Sequence, residues 1–90
     1  MAQEVLLKCG HKITLDGALK MREIREWGEA ERRGAFQTCY GYLARLVKSW
    51  DWEDLDPSDP ASYDELLSHE YQQVYLAVTK YVLSPEDTKN

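Results

Sequence analysis

The sequence predicts a mainly α-helical fold: a short N-terminal β-hairpin followed by about three amphipathic helices in a small bundle. Three observations carry that expectation. Apolar residues recur at helical spacing in three separate stretches, each bounded by capping residues, glycine or proline. Two β-prone runs flank a single glycine near the start. Ninety residues suffice for one compact core and not for two. The predicted domain is 1–84, with the hairpin at 1–16 and an acidic, proline-containing linker at 50–61. Residues 85–90 are expected to form a flexible polar tail.

Glu4-Val-Leu-Leu-Lys8 and Lys12-Ile-Thr-Leu15 are the β-prone runs, and Gly10 between them supplies the positive φ of a tight turn. Asp16 is the expected N-cap of a helix beginning near Ala18, with Met21, Ile24 and Trp27 or Gly28 recurring along its apolar stripe. Arg22 with Glu26, and Glu29 with Arg33, are spaced to pair along its surface. Gly34 is its natural stop. The second helix carries Phe36, Cys39, Tyr40, Leu43, Leu46 and Val47 on one side and closes near Lys48. A connection this short makes the two an antiparallel pair unless Gly34 only kinks one continuous helix.

Pro57 and Pro60 forbid a helix through the next segment, where Trp50, Trp52 and Leu55 are costly to leave in water and Trp50 and Leu55 are the expected anchors. Ser62-Tyr-Asp-Glu65 has the capping-box pattern and predicts a short turn of helix over 62–67. The last helix spans Ser68 to Leu83, its stripe running through Leu67, Tyr71, Val74, Tyr75, Val78, Tyr81 and Val82.

Charge divides the chain unevenly. Residues 1–48 carry nine Lys/Arg against six Asp/Glu, while residues 49–90 carry two against ten. Eight acids and no Lys or Arg lie between Asp51 and Glu70. Such a segment repels nucleic acid, and the small positive excess before it is too weak to mark a phosphate-binding surface. No apolar run approaches the ~20 residues that cross a bilayer. The opening residues lack the basic and long apolar regions of a signal peptide. Two cysteines are too few for a disulfide framework. The expected location is the compartment of synthesis.

The sequence also weighs against catalysis. Cys9, His11, Cys39 and His69 are the nearest thing to a metal set, but they lack the paired spacing that fixes a zinc geometry, so no metal and no cofactor is expected. Asp54, Asp56 and Asp59 lack the glycine and closing glutamate of a calcium loop, and Pro57 interrupts them. No phosphate-binding, nucleotide-binding or metalloprotease motif occurs, and the expectation is a non-enzyme. Aromatic residues are therefore the best candidates for partner contact, since Trp and Tyr dominate interface hot spots. Trp27 and Tyr42 flank the apolar stripes as candidate exposed anchors. Trp50 and Trp52 are the other two candidates.

The order of features resembles the small tail assembly chaperones of long-tailed bacteriophages. A β-like start is followed by a helix with Arg22-Glu23-Ile24-Arg25-Glu26-Trp27 and a second ending Leu46-Val47-Lys48-Ser49-Trp50. Then come the acidic stretch Asp56 to Leu66 and a last helix with Ala77-Val78 near its centre. The resemblance covers about residues 4–83. It implies a host-cytoplasmic chaperone that binds the tape-measure protein, keeps it soluble before tail-tube assembly, and helps recruit tube subunits. Self-association, and a short and a frameshift-extended form, are compatible with it. A different class remains open: an acidic anti-host inhibitor or DNA mimic, built on the −8 half of the chain.

Overall fold

Gly10, at φ +99°, turns the chain between β1 (Gln3–Leu6) and β2 (Lys12–Leu15). The Leu7 and Gly10 amides donate to the His11 and Leu7 carbonyls across that turn. After an extended connector come α1 (Met21–Arg33), α2 (Phe36–Leu46) and β3 (Val47–Trp50). A loop then leads to a 3-10 turn (Pro60–Glu65) and finally α3 (Ser68–Leu83). This computed structural model describes residues 2–83. The expected tail at 85–90 lies outside the described residues.

The three strands form one antiparallel sheet in the order β1-β2-β3. The fold is therefore α+β, and the expected helical bundle with a mere hairpin is corrected. The reason is local ambiguity. Leu43, Leu46, Val47 and Trp50 recur at i, i+3, i+4 and i+7, so the helical pattern runs straight on through β3. In the sheet, Leu15 pairs with Val47, Thr14 with Ser49 and Ile13 with Trp50, which leaves Lys48 as the extra residue of a bulge. That bulge lets Val47 and Trp50, three residues apart, lie opposite the buried Leu15 and Ile13. A bulged strand thus mimics helical spacing. What decides between them is the open edge of β2, whose backbone groups need partners.

The sheet's inner face (Ile13, Leu15, Val47) packs with Leu43 and Leu46 of α2 and Val74 and Val78 of α3, all at most 1% exposed. Burying side chains of this size stabilises the fold by roughly 1.5–3 kcal/mol each. Gly34, at φ +71°, ends α1 and donates its amide to the Ala30 and Glu31 carbonyls. The next helix then runs back along the first: Glu23 meets Arg45 and Glu26 meets Tyr42, so α1 and α2 are antiparallel.

Several boundaries differ from expectation. The N-cap of α1 is Lys20, and Asp16 instead closes β2, its amide bonded to the Leu46 carbonyl and its carboxylate to Gly17 N–H. The Lys20 amide donates to the Glu23 carboxylate, half of a capping box. On the helix surface Glu29 pairs with Arg32 rather than Arg33. Ser62 does not cap its own turn. Asp59 does, accepting from Ala61 N–H, while the Ser62 hydroxyl accepts from Asp56 N–H.

Candidate partner-binding cleft

Trp27 and Tyr42, expected as exposed anchors, are core residues at 5% and 8% exposure. The correction has a simple cause. The sequence places them at the margin of their helical stripes, and a neighbouring helix moves each margin inside: α3 covers Trp27, and α1 covers Tyr42. Trp27 stacks on Tyr42 at 6.0 Å and meets Tyr75 of α3 edge-on at 5.6 Å. The Tyr42 hydroxyl donates to the Glu26 carboxylate. Trp50 and Trp52 are half-buried: the Trp50 indole donates to the Leu55 carbonyl at 2.9 Å, and Trp52 stacks on His11 at 4.0 Å. The four residues do not form one surface.

What the fold does create is an apolar cleft between α1 and α3. Ile24, Trp27, Gly28 and Glu31, spaced i, i+3, i+4 and i+7, form one wall. Tyr75, Thr79, Val82 and Leu83 form the other, around about 110 Å³. Beyond Glu31 and Tyr75 a second hollow of about 130 Å³ continues toward Phe36 and Tyr71. Among the described residues Glu31 is the one acid in either wall, and Tyr75 lines both hollows beside it. Apolar side chains stand exposed near both ends: Leu83 at 62% beside Ile24, and Phe36 at 60% beside Tyr71. The Trp27 N–H, beside the weakly accepting Cys39 sulfur, has no hydrogen-bond partner among the described residues. The Thr79 hydroxyl has no hydrogen-bond partner among the described residues.

Gly28 is the informative residue in the wall. It sits mid-helix at negative φ, and a Cβ built there would meet nothing within 4 Å. Neither backbone conformation nor internal packing calls for glycine, although glycine in a helix costs ~1 kcal/mol relative to alanine. A smooth wall is what an approaching helix needs. The sequence offered a signal for it, a glycine at stripe position 28. The opposite wall could not be named until α3 was placed.

The aromatic interior has its own electrostatic signature. Burial and a hydrogen bond to Asp64 push the Tyr40 phenol up to about 12, and a hydrogen bond to Glu26 with burial does the same for Tyr42, also to about 12. Burial raises Tyr63, Tyr71 and Tyr75 as well. A raised pKa means the folded state holds the proton more tightly. The corresponding stability is intact below pH ~10 and is lost as pH climbs toward 12. Absorbance at 295 nm should therefore show these five phenols ionising only well above pH 10 or together with unfolding. Ionisation of all of them near pH 10 in a folded chain would contradict the packing.

The four metal-ligand candidates are dispersed. Cys39 is buried, Cys9 is half-buried, His69 is exposed, and among the described residues no group of three or more His, Cys, Asp or Glu is placed to hold a metal ion. His11 does not lie free in its turn. Its Nδ1 is 2.6 Å from Asp51 Oδ1 and its Nε2 is 3.5 Å from Glu70 Oε2. The acids are similarly engaged: Asp56 accepts from Ser58, Asp59 from Ala61 and Glu70 from Leu67. No helix among the described residues is long and apolar enough to cross a membrane. No protein-family model, curated protein or solved structure matches this chain.

Proposed function

We propose that this protein is a non-catalytic binder of amphipathic helices, acting in the host cytoplasm as a phage tail assembly chaperone for the tape-measure protein. The observation that carries the binding reading is the cleft between α1 and α3, apolar along both walls and smoothed by a glycine that the fold itself does not require. A helix laid in it would press its apolar stripe against Ile24, Gly28, Thr79 and Leu83, the helix-in-groove mode. The resemblance supplies the client: a long helical protein whose exposed stripes aggregate unless covered. Recruitment of the tube subunit belongs to the same reading. The alternative of an acidic mimic draws less support, because Asp51, Asp56, Asp59 and Glu70 serve as caps and turn acceptors within the chain.

The test is co-expression of the tape-measure candidate with wild type, Leu83→Asp and Gly28→Ala. Leu83 is largely exposed, so Leu83→Asp should leave folding nearly unchanged while placing a charge at the cleft mouth. Gly28→Ala should stabilise the free protein by roughly 0.5–1 kcal/mol and yet weaken client capture. Gly41→Ala in α2, where a Cβ also meets open space, should stabilise by a similar amount and leave capture intact. Equal capture by all four proteins would remove the cleft from the function. A client that stays soluble by itself would remove the chaperone role.

A further inference from the structure

We infer that this protein carries a proton-dependent clasp: the His11 imidazolium, held between Asp51 and Glu70 and stacked on Trp52, fastens the β1–β2 turn to the first turns of α3 and slackens when the ring loses its proton. Three elements meet at this ring. Its own turn supplies His11, the loop after β3 supplies Asp51 and Trp52, and α3 supplies Glu70. Nδ1 lies 2.6 Å from Asp51 and Nε2 lies 3.5 Å from Glu70, while the indole of Trp52 lies nearly parallel to the ring at 4.0 Å and 17°.

This geometry distinguishes the two protonation states. The imidazolium offers an N–H to each carboxylate and a positive charge to the indole face. A neutral imidazole has one N–H. Donating it to Asp51 leaves the other nitrogen's lone pair facing the Glu70 carboxylate, a repulsive contact. Glu70 is also tied to the helix start, because its second oxygen accepts from Leu67 N–H at 3.1 Å. The charge on His11 therefore bears on the residue that caps α3.

Two further contacts bound the effect. The Cys9 amide donates to the Gln73 side chain at 2.7 Å, a neutral link that survives in either state, so the clasp slackens and does not detach. Asp51 also accepts from Lys12 N–H, and with His11 this holds its carboxyl below the usual carboxylate range. The other ionisable groups on these elements are Glu4, Lys8, Cys9 and Lys12 of the hairpin, Glu53, Asp54, Asp56 and Asp59 of the loop, and the exposed His69 with Tyr71, Tyr75, Lys80 and Tyr81 of α3.

The test is a nuclear magnetic resonance titration of the full chain between pH 5 and 8. The chain has two histidines, so His11→Gln and His69→Gln separate their contributions. In wild type, the His11 ring, the Trp52 indole N–H and the amides of residues 67–73 should share one midpoint. Exchange of those amides, corrected for its intrinsic pH dependence, should quicken on the order of threefold to tenfold from the low to the high end. His69→Gln should preserve that transition and His11→Gln should abolish it. Should His11→Gln fail to fold, Asp51→Asn keeps the ring but removes one grip, and must weaken the transition. Amides at 67–73 that ignore the His11 titration, or a transition that persists in His11→Gln or is undiminished in Asp51→Asn, would overturn the inference.

Discussion

Trp27→Ala should destabilise the protein by about 3–5 kcal/mol, the loss typical of emptying a buried aromatic site. A domain of this size holds about 5–13 kcal/mol in total, at roughly 0.05–0.15 kcal/mol per residue, so this one change removes a large fraction. The ring sits where all three helices meet, stacked on Tyr42, edge-on to Tyr75 and facing the Cys39 sulfur. None of these neighbours can collapse into the space without shifting a helix. Urea unfolding followed by circular dichroism measures the effect. A loss below ~1 kcal/mol would mean that the ring is not packed among the helices. The consequence for function is direct: failure of Trp27→Ala to capture a partner would report unfolding, which is why the cleft is tested through Leu83 and Gly28.

Tyr63→Ala should be comparably severe, about 3–5 kcal/mol, because this side chain is 1% exposed and organises the acidic loop from beneath. Its hydroxyl donates to the Pro57 carbonyl at 2.7 Å, and its ring lies 5.1 Å from Trp50 and 6.1 Å from Tyr40. Tyr63→Phe keeps the ring and removes the hydrogen bond, so it should cost about 1 kcal/mol. Asp54→Asn, on the exposed part of the same loop, should change stability by ~0.5 kcal/mol or less. Trp fluorescence during urea unfolding separates the three, since Trp50 and Trp52 report on the loop. Equal, small effects from all of them would show that the loop is not anchored through Tyr63.

The anchor itself was only half legible. Trp50 and Leu55 were recognisable because large apolar groups in a polar stretch need burial, and Trp50 does bond the Leu55 carbonyl. Tyr63 was not recognisable. It lies in a short turn with no periodicity to flag it, and only the placement of α2 and β3 shows that the turn's inner side is core. The His11 clasp was hidden for a related reason. Its partners are 40 and 59 residues away, and nothing in a lone turn histidine announces two distant carboxylates.

By itself, the sequence determined the elements whose signals are local. Gly10 and Gly34 set two turns through positive φ, the prolines excluded helix from the acidic loop, and a long apolar stripe defined α3 from Ser68 to Leu83. These follow from backbone sterics and side-chain period within one segment. The tertiary structure alone decided three things. It turned Val47–Trp50 into a strand, because β2 had an open edge and a bulge at Lys48 allowed helical spacing to fit a sheet. It buried Trp27 and Tyr42, because a residue at the margin of one stripe becomes interior when a neighbouring helix covers it, α3 for Trp27 and α1 for Tyr42. And it made the cleft, whose two walls are 44 or more residues apart in the chain and gain a shared chemistry only once α1 and α3 lie side by side.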